Sequence, residues 1–498
     1  MKRKSIIAMM LALSVLPFAG NLCVQAEEQE IVEIVWQYPT DGNIGTGFQD
    51  VEDALNEMLE RDIGVHVTFE PVGLGESQQT AQLMIAAGEQ LDLCLTAFTS
   101  LNPLVDGGYI LPLTDIVEEY GEGFKELGMN LSNGYYQGEL YGIAPHTYLA
   151  TNYQYLIKTE YLDKYGITID PEKTYTYEDL EEIFMTIKAG EGENFYALPI
   201  DATISPMETY FTYDKLGASS ASGVLMLNRS FDDLTIYNIY ETEEYKTYAE
   251  TLYRWAQNGL IAPDAAVTSE TTDTLVSSDN YLGTFYFGQP TSALEYGALI
   301  GHELQAIKLM DNYVVDGAGG GVWWSVPITS ANPEKAIEAL EYIYTHDEAN
   351  YILMYGLEGV SYEVTAEDEN GIQIKFLSDD VLSLPYYNPY GLWGNQYNYA
   401  AIYPATTERS VILEEFENST SPERWSPAMG YSFDSSSVST EIASVSAVIE
   451  QYGKSINCGA LDPEKALPEF INSLKSAGID KVIAENQRQL DEWAAVQK

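Results

Sequence analysis

The residues of this chain that suit chemistry are rings and amides, not nucleophiles or metal ligands. Its four histidines, His66, His146, His302 and His346, are scattered, and none sits in an HExxH pattern. There is no GxSxG elbow, no CxxC pair, no GxGxxG after a strand and no P-loop. Carboxylates number 76, so a pair suited to glycoside hydrolysis carries no information by itself. Glu367-Asp368-Glu369-Asn370-Gly371 lacks the alternating ligand spacing of a calcium loop and reads as a hairpin turn. The expectation is no catalytic residue, no metal and no cofactor. Aromatic side chains are plentiful by contrast, with 38 Tyr and 7 Trp. A pyranose offers apolar C–H faces that pack on flat rings, while Asp, Asn and Gln satisfy its hydroxyls.

The candidate contacts follow predicted strands or sit in a ring-rich loop. Trp36 and Tyr38 end the first strand, and Asp41 lies in the loop beyond it. Phe98 and Thr99 end the third strand, Asp201 follows Tyr196 to Ile200, and Phe287 with Gln289 ends a later strand. Trp323 and Trp324 are adjacent in a strand, so they point to opposite faces and at most one meets a ligand there. Residues 386–399, YYNPYGLWGNQYNY, supply Tyr387, Trp393 and Asn395, and Asn152 sits near a predicted change of lobe. Each has an ordinary alternative. A lone Tyr or Trp more often packs than binds, and Asp41, Asn152 and Asp201 suit turns and caps.

The elements that must hold these residues read as α/β. Residues 31–96 alternate strand, helix, strand, helix, strand, with Ala54, Leu55, Met58 and Leu59 on one helical face after a cap at Asp50. Such alternation implies a parallel sheet, with ligand beyond the carboxyl ends of its strands. Tyr153 to Ile157, Tyr196 to Ile200 and Tyr281 to Phe287 read as further strands, and Thr176 or Tyr177 opens a helix. Gly321 to Thr329 reads as a strand before a helix capped by Asn332 with Pro333 at its first position. That helix buries Ala336, Ile337, Leu340, Ile343 and Tyr344. The last third is helical: Thr440 to Tyr452, Pro468 to Ala477 ending at Gly478, and a final helix capped by Asp480.

The N-terminus reads as a secretory leader over residues 1–26. Lys2, Arg3 and Lys4 precede an apolar core too short to span a bilayer, and Val24-Gln25-Ala26 fits the cleavage pattern. The expected location is extracellular, at the cell surface. A lipid anchor on Cys23 is disfavoured because Leu22 fits a lipobox poorly. Cys94, in an apolar strand, and Cys458 are expected to be unpaired. At 498 residues the chain is too long for one core, so two lobes are expected. A formal net charge of −52 argues against nucleic acid and anionic lipid as partners and disfavours an anionic ligand.

Three blocks resemble one family. They are Gly321 to Tyr362, Tyr155-Leu156-Ile157 with Thr159 to Gly166, and the tail Leu461-Asp462-Pro463-Glu464-Lys465-Ala466-Leu467-Pro468 through Gly478 to Trp493. They are similar to extracellular solute-binding proteins of ABC importers, in the branch with a DUF3502 region. The resemblance implies a two-lobed type II periplasmic-binding-protein fold, α/β with a helical C-terminal region. It implies a monomer that captures an oligosaccharide between its lobes and passes it to permease subunits without altering it. The expected first lobe is 27–149 plus 283–328. The expected second is 150–282 plus 329–498, with the DUF3502-like tail from about 355. Crossings are expected near 148–152, 281 and 329–333. Two alternatives stay open: a secreted polysaccharide-degrading enzyme with paired carboxylates, and a ligand-presenting protein for a surface sensor.

Overall fold

Amphipathic helices alternating with apolar strands build the first lobe. The computed structural model describes residues 31–496 except 41–43, 98–100, 137, 201–209, 218, 269, 316–320, 379 and 389. The leader, Cys23, Asp41, Phe98, Thr99 and Asp201 lie outside the described residues. Strand β1 (Val32–Thr40), helix α1 (Phe48–Ile63), β2 (Val65–Gly73), α2 (Ser77–Ala87) and β3 (Cys94–Ala97) follow in order. β1 pairs in parallel with β2 and reaches β3 through a parallel bridge from Trp36 to Leu93. α1 buries Val51, Leu55, Met58 and Leu59 at helical spacing and ends at Gly64, whose φ of 66° is the left-handed stop that glycine supplies. It starts at Phe48, two residues before the expected cap.

The second lobe opens with β4 (Asn152–Lys158), followed by α3 (Tyr177–Glu191) and α4 (Glu243–Gln257). α3 starts where the sequence indicated: Thr176 and Asp179 cap each other reciprocally. β5 (Gly283–Gly288), α5 (Ser292–Ile300) and β6 (Leu304–Lys308) complete this pass. β5 and β6 flank β4, both antiparallel to it. Residues 283–308 therefore belong to the second lobe and not, as expected, to the first. The ladder to β4 fixes them there, as does the Phe285 ring 5.2 Å from that of Tyr155.

The chain then returns to the first lobe. β7 (Val322–Ser325) pairs antiparallel with β3, and α6 (Pro333–Thr345) and α7 (Asp347–Tyr355) cover the sheet. α6 buries the apolar face read from its spacing. β8 (Tyr362–Asp368) and β9 (Gly371–Phe376) form a hairpin whose turn is the Glu369-Asn370 pair. Residues of α6, α7 and the stretch to Ala400 share one core with β1 to β3. They are therefore first-lobe residues, which corrects the expected placement of everything after 329 in the second.

Helix α8 (Arg409–Asn418) leads to the final second-lobe segment: α9 (Ser439–Asn457), α10 (Pro463–Ala477) and α11 (Ile479–Val496). α10 begins five residues before the expected Pro468, because Asp462 caps it and Pro463 occupies its first turn. The lobes are joined by three adjacent crossings. Thr151 and Tyr313 exchange backbone hydrogen bonds of 3.0 and 2.9 Å, and Val314 bridges Trp425. The crossing at 148–152 lies where expected. The other two run near 313–315 and 400–425, because 281 and 329–333 each sit inside a lobe. Cys94 and Cys458 are buried and unpaired. No described helix is long and apolar enough to cross a membrane.

Candidate functional site: the cleft between the lobes

Strand direction locates the cleft. β1 and β3 end at the same edge of the first sheet, and β7, antiparallel to β3, begins there. In the second lobe, β4 begins and β5 ends beside the crossings. Open α/β sheets bind ligands beyond such strand ends. At one point the lobes touch: Asn102 Nδ2 donates to Phe433 O and Ser432 Oγ donates to Asn102 Oδ1, each at 3.4 Å.

Four expected contacts form the first-lobe core instead. Trp36, Trp324 and Trp393 are 0 % exposed and Tyr38 is 4 %. The Trp324 and Trp393 rings stack at 4.7 Å, and Trp36 lies 5.5 and 5.4 Å from them. Trp324 Nε1 donates to Leu392 O at 2.9 Å, and Tyr38 Oη meets Tyr386 Oη at 2.5 Å. The expectation of ligand contact fails for these four because strand alternation turns Trp36, Tyr38 and Trp324 into the core, and Trp393, in the loop before Ala400, stacks on them. The opposite-face reading of the tryptophan pair holds. Trp323 is half-buried on the other face, against Gly142, where a Cβ would lie 2.7 Å from Trp323 Cβ.

Asn395 is 3 % exposed and serves as a cap: its Oδ1 accepts from Tyr397 N at 3.1 Å, and its carbonyl accepts from Asn350 Nδ2. Tyr387 is half-buried, edge-on to Phe376. Asn395 presents no open contact surface, while Tyr387 keeps part of its ring open.

The second-lobe candidates come together. Asn152 Oδ1 accepts from Gln154 Nε2 at 2.9 Å, and Asn152 Nδ2 donates to Asn312 Oδ1 at 3.4 Å. Gln154 Nε2 also donates to Gln289 O at 3.2 Å, which leaves Gln154 Oε1 buried without a donor. Phe287, 52 % exposed, packs on Tyr153 with ring centroids 4.4 Å apart. The sequence reading named Asn152, Phe287 and Gln289 but missed Gln154 and Asn312. A glutamine inside the otherwise apolar run Tyr153 to Ile157 was the available signal. Arg424 fixes this corner, donating to Asn312 O at 2.5 Å and Asp311 O at 3.0 Å.

Near the crossings, burial lowers the His146 pKa, favouring neutral imidazole against the Tyr397 ring 4.6 Å away. Burial likewise raises the Tyr148 hydroxyl above its usual range. Among the described residues no cluster of three or more His, Cys, Asp or Glu suits a metal ion. The arrangement offers amides, hydroxyls and one exposed ring, which is equipment for holding a polar, ring-shaped solute.

Comparison with known proteins decides the family. Residues 46–350 match the bacterial extracellular solute-binding protein model, and residues 427–495 match DUF3502, a domain of unknown function. The chain belongs to the bacterial extracellular solute-binding protein family. A carbohydrate ABC transporter substrate-binding protein of Streptococcus pneumoniae is 25% identical over 451 residues, 88% of this solute-binding protein and 86% of the relative. The N-glycan transport solute-binding protein NgtS from Streptococcus pneumoniae superposes with a TM-score of 0.80 at 21% identity, covering 94% of this chain and 100% of that one. The S. pneumoniae substrate-binding protein FusA in complex with kestose gives 0.62 at 13%, covering 94% and 100%. The likeness to these solved structures establishes the two-lobed α/β fold. The DUF3502 match starts well after the expected 355, consistent with residues up to 400 packing in the first lobe.

Proposed function

We propose that this solute-binding protein works outside the cell, captures an oligosaccharide in the cleft between its lobes and delivers it intact to the permease of an ABC importer. The observation that carries the reading is the second-lobe corner at the start of β4, where Asn152 bonds the amides of Gln154 and Asn312, while the exposed ring of Phe287 ends the neighbouring strand on the sheet face opposite Gln154. Amides donate and accept, as sugar hydroxyls do, and an exposed ring suits a pyranose face. The relatives support it: one is a carbohydrate ABC transporter substrate-binding protein over most of its length, and NgtS is solved with Man1GlcNAc and Man5GlcNAc. The adjacent crossings suit lobe closure over a ligand. The protein does no chemistry on what it binds. The absence of a catalytic motif in the sequence supports that part.

The test is a thermal-shift screen against neutral oligosaccharides that include mannose-GlcNAc glycans, with calorimetry on each hit and recovery of the sugar. A ligand at 100 times its Kd stabilises the protein by about 2.7 kcal/mol. Stabilisation with the sugar recovered intact supports capture. Shortened sugar would show hydrolysis, and a flat panel with folded protein would sink the oligosaccharide reading.

A further inference from the structure

We infer that the cleft takes an uncharged oligosaccharide and rejects chains carrying carboxylate, sulfate or phosphate. This rests on the oligosaccharide reading and narrows it. The described segments at the cleft ends of the strands and along the first two crossings are 44–47, 101–103, 141–152, 287–292 and 309–315, with 385–388, 390–399 and 426–434 beside the third. None of these contains Lys or Arg, and the third crossing, 400–425, carries Arg409 and Arg424. The stretches free of Lys and Arg contribute Asp311 and Asp434. Among the described residues at these strand ends, no local basic pocket offsets the global charge of −52.

The cations nearest the cleft are already engaged. Arg409 Nε pairs with Glu295 Oε1 at 2.6 Å. Arg424 donates to the carbonyls of Asp311 and Asn312 and lies over the Phe231 ring at 5.0 Å. Lys308 pairs with Asp311 at 2.9 Å. Helix N-termini hold anions in some proteins without any cation. Here the first turn of α1 carries Asp50 and that of α5 carries Glu295, which oppose an incoming anion. In α5 the Ser292 N–H is bonded to Gln289 O, and those of Leu294 and Glu295 to Thr291 O.

Gln154 adds a positive criterion. Its Nε2 serves two acceptors, Asn152 Oδ1 and Gln289 O, which fixes the amide orientation and leaves Oε1 buried and in need of a donor. A sugar hydroxyl supplies that proton. An ionised carboxylate, sulfate or phosphate placed against Oε1 has no proton to give and would be desolvated with no partner charge.

The experiment compares each neutral oligosaccharide with its counterpart oxidised at the primary hydroxyls to carboxylates, by calorimetry at 50 and 500 mM NaCl. The oxidised sugar should bind at least tenfold more weakly, with the gap narrowing at high salt as the repulsion is screened. Equal or tighter binding of the oxidised sugar overturns this inference and leaves the oligosaccharide reading intact. No binding by either series, with folded protein shown by circular dichroism, overturns both. The variant Gln289→Arg places a cation beside β5 and should close the gap severalfold. An unchanged gap in a variant that still binds the neutral sugar overturns charge as its cause.

Discussion

The carboxylate of Glu417 accepts the backbone N–H of Ala150 at 2.6 Å, and that of Leu149 at 3.0 Å. Glu417 sits near the end of α8, on the last crossing between the lobes, while Leu149 and Ala150 form the first. One side chain thus ties two of the three hinge segments. Hydrogen bonds to a charged group contribute about 1.5–3 kcal/mol, so Glu417→Ala should lower stability by roughly that amount in urea denaturation.

The same residue predicts a pH dependence. Burial outweighs the two N–H donors and raises the Glu417 carboxyl above its ordinary range. A raised carboxyl binds its proton more tightly in the folded state. Its contribution is complete below the ordinary carboxylate range and is lost as pH climbs through the raised value. Glu417→Gln keeps the acceptor and does not titrate. The wild-type Tm minus that of Glu417→Gln should therefore be larger at pH 4 than at pH 7.5. A constant difference, or one growing with pH, would contradict the assignment.

Trp393 was expected to meet sugar and instead completes the buried ring cluster with Trp36 and Trp324. Trp393→Ala should cost about 3–5 kcal/mol, as loss of a large core aromatic does. Trp393→Phe should cost less and leave sugar affinity within about twofold. A tenfold affinity loss in the Phe variant would put the ring back in the site.

Cys94 and Cys458 lie in different cores, and burial pushes the Cys94 thiol up to about 12 and raises that of Cys458. Thiolates are the reactive species, so both should resist a thiol reagent in native protein and react fully in guanidinium. Fast native labelling, or fewer than two thiols after denaturation, would refute free, buried cysteines.

Asn486 is 0 % exposed in the middle of α11. Its Nδ2 donates to Leu216 O at 2.9 Å and Ser222 O at 2.7 Å, while Tyr431 Oη donates to its Oδ1 at 2.7 Å. Asn486→Leu would strand those groups and should cost about 2–3 kcal/mol, though Leu is the better helix former. A neutral or stabilising result would show that the amide does not pin the tail.

The sequence exposed what depends on short-range pattern. The faces of α1 and α6, the caps at Thr176 and Gly88, and the hairpin turn within 367–371 all follow from neighbours within a few residues. Lobe membership did not, because β5 joins β4 across more than 120 residues and nothing in either strand names its partner. The aromatic candidates failed for a related reason. Trp36 and Trp324 are chemically as suited to sugar as Phe287, and only the direction of each strand face separates core from cleft. Gln154 was legible in principle, as a buried amide in an apolar strand.

Phe287 gives the most direct test of the second-lobe corner. It is 52 % exposed at the end of β5 and packs one side on Tyr153. Its removal strips little buried area, so Phe287→Ala should change stability by less than about 1 kcal/mol. If the free side of the ring carries a sugar, affinity should fall about tenfold, corresponding to about 1.4 kcal/mol, and Phe287→Tyr should retain most of it. Calorimetry on the two variants separates the cases. A large affinity loss with an unchanged melting curve places the ring in the site. Unchanged affinity removes Phe287 from it and shifts weight to the amides of Asn152 and Asn312.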